Sequence, residues 1–216
     1  MKKLILFELI LLFLATTFMT DTQGWYQVPL PRSDVFVQDI FFIDSLDGWV
    51  LARKNTNDTA IIYSTTDGGV NWINQFQDKV YLFAINFPDA NTGYCVGYYS
   101  TTTGGSGLVK KTTNGGISWY TVSFTVAEPL VDVKFVNKDT GWIASNDSFD
   151  GGIFKSTNGG ISWQQELNQS YAPTRIFFLN RDTGWAACQQ TKLYRTTNGG
   201  GNWNQQYNFP SSLIDI

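Results

Sequence analysis

The sequence predicts an all-β fold, a β-propeller of four-stranded antiparallel blades, and three observations carry that prediction. An eight-residue stretch recurs four times, as TTDGGVNW from Thr65, TTNGGISW from Thr112, STNGGISW from Ser156 and TTNGGGNW from Thr196. A second motif interleaves with it: FIDSLDGW from Phe42, FPDANTGY from Phe87, FVNKDTGW from Phe135 and FLNRDTGW from Phe178. The period, read from Gly48, Gly93, Gly141 and Gly184, is 43 to 48 residues. Each period holds four short β-type runs separated by turn residues, and none has helical periodicity. Four strands in a repeat of this length is the size of a propeller blade, which buries its two faces only by stacking on neighbours.

The elements follow in order. Residues 1–23 open with Lys2 and Lys3 and continue as an apolar run from Leu4 to Leu14. That run is shorter than the roughly 20 residues of a membrane span, so it reads as a secretory signal peptide, and no other stable span is expected. The rest of the chain is then extracytoplasmic: periplasmic, secreted or at the cell surface, or in the thylakoid lumen if the host is photosynthetic. Residues 24–216 form the repeat domain. Its first stretch, GWYQVPL, has Trp25 placed like the start of a fourth strand with no blade before it, which suits a closing strand. Four full units follow; in the third the runs are LVDVKFV, GWIASN, GIFKST and SWQQEL. The final LIDI matches LVDV of the third unit, and Ile216 follows Trp203 at the spacing by which Ile85 follows Trp72 and Ile176 follows Trp163. The expectation is four complete blades plus partial terminal strands in an open or truncated ring. Its unpaired edges belong to a longer protein or to a homo-oligomer.

The recurring turn explains its own composition. An Asp or Asn side-chain oxygen accepts from backbone N–H groups two residues on, the glycines supply positive φ, and the tryptophan buries its ring against the neighbouring sheet. The structural positions are Thr65, Asp67, Gly69 and Trp72; Thr112, Asn114, Gly116 and Trp119; Ser156, Asn158, Gly160 and Trp163; Thr196, Asn198, Gly200 and Trp203. Three of the four copies carry Asn where the first has Asp67, so the position requires an acceptor and not an ionisable acid. That argues against catalysis by the motif.

These residues resemble the Asp-box, or BNR, repeat. With K-[ST]-T-N-G-G-x-x-W and the D-T-G-W partner motif, the chain is similar to the photosystem II assembly and stability factor-like family. The resemblance implies an exported, non-enzymatic propeller that binds a protein partner, a photosystem II subunit if the host is photosynthetic. Asp-box propellers also serve as sialidases and other glycosidases, so a glycan-active or glycan-binding protein is the alternative.

Composition narrows the field further. Hydrophobic residues make up 43% and aromatics 16%, enough for a packed core. The net charge is −3 and no Lys/Arg run exceeds a pair, which leaves nucleic acid without an electrostatic footprint. The chain has no histidine, which excludes His-ligated zinc or copper, a Ser-His-Asp triad and a Cys-His dyad. Cys95 and Cys188 are expected to be buried free thiols. The loop NDSFDG from Asn146 begins like a calcium loop, but its twelfth place holds Thr157 where a bidentate Glu is needed. GGSGLVKKT from Gly104 lacks the G-K-[ST] core of a phosphate loop. No catalytic residue, metal or cofactor is therefore expected. Lys111, Lys155 and Arg195 recur before the turn and read as a solvated outer-strand face. Function on a rigid scaffold sits in variable connections, and Arg53, Tyr98, Tyr99, Tyr171 and Arg175 lie in them or at adjoining strand ends. Tyr and Arg dominate interface hot spots, so these five are the candidate partner-binding residues.

Overall fold

The computed structural model describes residues 27–101, 104–124, 129–146, 151–167, 172–189 and 191–208. The leader, Trp25, Tyr171, most of the NDSFDG loop and the LIDI segment lie outside the described residues. Among the described residues sixteen strands form four sheets of four. The first blade is β1 (Val35–Phe42), β2 (Gly48–Lys54), β3 (Ala60–Thr65) and β4 (Ile73–Asp78). The second is β5 (Tyr81–Asn86), β6 (Gly93–Thr101), β7 (Gly104–Thr112) and β8 (Tyr120–Val122). The third is β9 (Leu130–Phe135), β10 (Gly141–Ser145), β11 (Gly152–Ser156) and β12 (Gln164–Leu167), and the fourth is β13 (Pro173–Phe178), β14 (Gly184–Cys188), β15 (Lys192–Thr196) and β16 (Asn204–Asn208). Every pairing is antiparallel between consecutive strands. Four complete blades are present, as the repeat predicts. Among the described residues no helix is long and apolar enough to cross a membrane.

Each blade is locked by the Phe and Gly of the second motif. A Cβ on Gly48, Gly93, Gly141 or Gly184 would collide with the ring of Phe42, Phe87, Phe135 or Phe178. The bare backbone at the start of the second strand is therefore what lets the ring cross it. Between this Phe and this Gly, the Asp or Asn side chain caps the turn. Asp44 Oδ1 accepts from the N–H of Leu46 and Asp47, and Asp89, Asn137 and Asn180 do the same in their blades. Carboxylate and amide serve equally, since only acceptance is required.

The core lies between blades. Leu51, Ala60 and Ile62 of the first blade meet Leu82, Ile85 and Cys95 of the second, and the other junctions repeat the arrangement. Both cysteines are buried free thiols. The aromatic after the glycine crosses each junction. Trp49, Tyr94 and Trp142 stack at 3.6 Å on Phe87, Phe135 and Phe178 of the following blade. Their polar tips donate to the carbonyls of Gly115, Gly159 and Gly199 in the following blade's turn motif. One side chain thus supplies apolar area and a directed hydrogen bond across the same seam.

The turn-motif tryptophans pack toward the neighbouring sheet as expected, and they do a second job within their own blade. Trp119, Trp163 and Trp203 meet the Phe of their own blade edge-on at 5.8, 5.9 and 5.9 Å. They are only partly buried, and their indole nitrogens, with that of Trp72, have no hydrogen-bond partner. They wedge the Phe into place from within the blade and also face the preceding one, Trp163 meeting Phe124 edge-on at 5.7 Å, while the stacked crossing to the following blade falls to the other aromatic. The hydrogen-bond pattern of the turn differs from expectation. Asp67 Oδ1 accepts from Asn71 N, four residues on, and the hydroxyl of Thr65 accepts from the N–H of Asp67 and Gly69. Thr112, Ser156 and Thr196 repeat the hydroxyl's part. Paired glycines with φ between 69° and 107° make the reversal that brings these groups together.

The basic residues before the turn are not a solvated face. Lys111 Nζ donates to Gly159 O at 2.8 Å while lying over the Tyr94 ring, and Lys155 lies over Trp142. Burial lowers the Lys111 pKa. These cations reinforce the aromatic crossing, which their place beside the turn could not reveal from one blade alone.

Candidate functional site

The first strands of the four blades, β1, β5, β9 and β13, converge on a cavity of about 400 Å³. Each carries an irregularity at the same place, between Val37 and Asp39, Leu82 and Ala84, Leu130 and Asp132, and Pro173 and Arg175. A bulge re-aims the residues that follow it. Two positions per strand then matter most, three and one before the motif Phe. The first set is Asp39, Ala84, Asp132 and Arg175; the second is Phe41, Asn86, Lys134 and Phe177. All eight line the cavity except Phe177, which adjoins it through Lys134.

All three acidic or amide groups are also braces. Asp39 Oδ2 accepts from Ile85 N, Asp132 Oδ2 from Ile176 N and Asn86 Oδ1 from Phe135 N, each holding the next blade's first strand. Asp132 has a pKa raised to about 7, chiefly by burial; the N–H of Ile176, the Arg175 guanidinium and the N–H of Val133 oppose the rise. Lys134 is pulled down by burial, against the attraction of Asp132. Its ammonium sits 5.7 Å from the centre of the Phe41 ring and 5.9 Å from that of Phe177, so a third-blade cation is flanked by rings of the first and fourth. The cavity wall thus offers apolar rings, a cation, an arginine and an acid of intermediate pKa.

The sequence-predicted residues fall into two connected groups. Arg175 is exposed on the cavity wall. Phe83, on the same wall, stacks with Tyr98, which stacks in turn on Tyr81 at 4.8 Å. The Tyr81 hydroxyl donates to Asp58 at 2.7 Å, and Asp58 lies 3.5 Å from Arg53. An aromatic and charged row therefore leads from the cavity to the connection between β2 and β3. Tyr99, 41% exposed, alternates to the opposite face of β6. Sequence reasoning missed Asp39, Asp132, Lys134, Phe41 and Phe83. The signal was present in the column three before the Phe, which reads Asp, Ala, Asp, Arg where the residue after it is apolar in every blade. Among the described residues no group of His, Cys, Asp and Glu could hold a metal ion.

Two kinds of likeness bear on the chain. The family model described as photosynthesis system II assembly factor YCF48 matches residues 110–209. Among solved structures, YCF48 from Cyanidioschyzon merolae superposes with a TM-score of 0.51 at 14% identity, covering 84% of this chain and 88% of that one. YCF48 bound to D1 peptide gives 0.50 at 14% identity, covering 80% and 81%. The GH74 enzyme of Niastella koreensis gives 0.58 at 19% identity, covering 78% of this chain but only 30% of the enzyme. No curated protein matches significantly. The chain is thus a BNR-type propeller resembling the photosystem II assembly factor, and the structural likenesses speak to fold.

Proposed function

We propose that this propeller is a non-catalytic, exported scaffold that binds a segment of a partner protein in the axial cavity and along the row from Phe83 to Arg53. The observation that carries the reading is the cavity wall, where Arg175, Lys134 and the Phe41 ring stand beside Ile40 and Ile176. Alternating apolar and hydrogen-bonding groups suit an extended peptide, whose side chains and amides alternate in the same way. The YCF48 family match and the solved YCF48 with a D1 peptide support a protein segment as the partner. In a photosynthetic host that partner is a photosystem II subunit.

A glycosidase is the second reading, because Asp39 and Asp132 share the cavity and one has a raised pKa. Against it, each carboxylate already accepts backbone N–H groups from its own strand and the next blade. A general acid must release its proton to substrate, and a brace between blades is poorly placed to do so. The deciding experiment pairs a host-extract pull-down with turnover of labelled sialosides and β-glucans. The scaffold reading expects no turnover and a partner lost on Arg175→Ala. Turnover abolished by Asp132→Asn would establish the glycosidase.

A further inference from the structure

We infer that Lys134 is a carbonyl-capturing lysine, whose side-chain amine forms an imine with a small aromatic aldehyde that enters the axial cavity. The surroundings of the amine carry the inference. Its Nζ lies 5.7 Å from the centre of the Phe41 ring and 5.9 Å from that of Phe177, and no described residue accepts a hydrogen bond from it. Burial lowers its pKa, against the attraction of Asp132, which raises the share of free amine, the form that attacks a carbonyl carbon. Lys134 belongs to the third blade, which has a neighbour on each side within the chain.

Asn86 brings a donor to the same place. It is 2% exposed and lines the cavity. Its Oδ1 accepts from the N–H of Phe135, the residue after Lys134, and that contact fixes the other end of the amide as the N–H2 group. No described residue accepts from that group, so it is available to a carbonyl oxygen. The walls suit the rest of such a ligand. Phe41, Phe83, Ile40 and Ile176 surround a volume of about 400 Å³, room for one aromatic ring with a formyl group.

The chemistry balances without an oxidant or reductant. The amine nitrogen bonds the carbonyl carbon and gives up two hydrogens; the carbonyl oxygen takes up two and leaves as water. Asn86 donates to that oxygen as negative charge develops on it. Lys111 shows that a lowered pKa is not sufficient. Burial lowers it as well, but its Nζ is engaged by the Gly159 carbonyl at 2.8 Å and it does not line the cavity. The inference rests on the reading of the cavity as a ligand site, though not on any protein partner.

The test uses the isolated protein and salicylaldehyde as the probe. After incubation near neutral pH, sodium cyanoborohydride reduces any imine to a stable amine, and peptide mapping by mass spectrometry locates it. Lys134 is expected to be labelled several-fold faster than the exposed Lys79 and Lys138, with Lys111 slow. Lys134→Arg keeps the charge between the rings and should abolish the fast phase. Asn86→Asp keeps an acceptor for the N–H of Phe135 but replaces the donor with a carboxylate, and should slow the labelling of Lys134 several-fold. Far-UV circular dichroism checks that each variant is folded; should Asn86→Asp lose its strand signal, the wild-type map and Lys134→Arg decide. Label spread evenly over the exposed lysines, Lys111 reacting as fast as Lys134, a fast phase that survives Lys134→Arg, or an unchanged rate in folded Asn86→Asp overturns the inference. Labelling needs no partner, so its failure leaves the pull-down result standing, and failure of the pull-down leaves the labelling standing.

Discussion

Trp142 is the most informative single residue to remove. It is fully buried, stacks at 3.6 Å on Phe178 of the fourth blade, donates to Gly199 O at 3.0 Å and lies beneath the Lys155 ammonium. Truncation to alanine loses the ring's transfer free energy and leaves a cavity, together about 3–5 kcal/mol. The carbonyl of Gly199 loses its indole donor as well, which adds to the cost, although Lys155 is near enough to offset part of it. We expect Trp142→Ala to destabilise by about 5 kcal/mol and Trp142→Phe, which keeps the stack but not the N–H, by about 1–2 kcal/mol. Because blades couple only to their neighbours, the loss concentrates at the junction of the third and fourth blades. Urea unfolding followed by circular dichroism should therefore broaden or split in the alanine variant. A single transition displaced by less than about 2 kcal/mol would show that the crossing aromatic does not hold the blades together.

The remaining expectations use the same reasoning. Thr112→Val removes the acceptor for the N–H of Gly116 and Asn114 and should cost about 1–3 kcal/mol, whereas Asn114→Asp, which gives up only an exposed donation to the Ser118 hydroxyl, stays within about 0.5 kcal/mol; equal costs by chemical denaturation would contradict the reading that the turn needs Asn114 as an acceptor. Burial holds the Asp132 carboxyl at about 7, above its ordinary 3.8, so between those values the folded chain keeps a proton that the unfolded chain has released. Its contribution to stability is complete below the ordinary value and is lost as pH rises through about 7. Thermal unfolding from about pH 5 to about pH 8 should show that decline, and Asp132→Asn should flatten it; identical pH slopes in both proteins would refute the assignment. Arg175→Ala, an exposed change, should shift stability by no more than about 0.5 kcal/mol while weakening partner capture. Retention of every partner would place the binding face elsewhere.

The sequence made the blades legible because the residues that build them repeat. Phe and Gly six apart, the Asx-capped turn and the paired glycines each answer a local backbone demand, and local demands are visible in a string of letters. Junction roles were less legible. Both tryptophans of a repeat look alike in sequence, yet Trp142 crosses to the next blade and Trp163 wedges its own Phe. The difference comes from which sheet face each side chain takes and how closely the next blade approaches. Lys111 was misread for the same reason: its partner, Gly159, is in another repeat. The cavity went unseen because its residues sit on strands, while attention to variable loops led to Arg53, Tyr98 and Tyr99. Arg175 was found through its neighbouring loop and belongs to the wall.

A division of labour follows from the repeat. The hydroxyls and Asx side chains of the repeated turn have their polar atoms committed in every blade: the hydroxyl of Thr65, Thr112, Ser156 or Thr196 to a glycine N–H, and the turn carboxylates and amides to nearby backbone. A ligand could recruit those atoms only by breaking the turn. The columns that vary are free of that obligation to different degrees. At three before the Phe, Asp39 and Asp132 still brace a neighbour, whereas Ala84 braces nothing and exposed Arg175 donates to Thr174 O while its charge opposes the rise in the Asp132 pKa. Arg175 therefore occupies a position where the fold accepts a brace, a methyl or a guanidinium alike. That tolerance is what a scaffold needs where it recognises a partner, and it makes Arg175 the residue whose loss should separate binding from stability most cleanly.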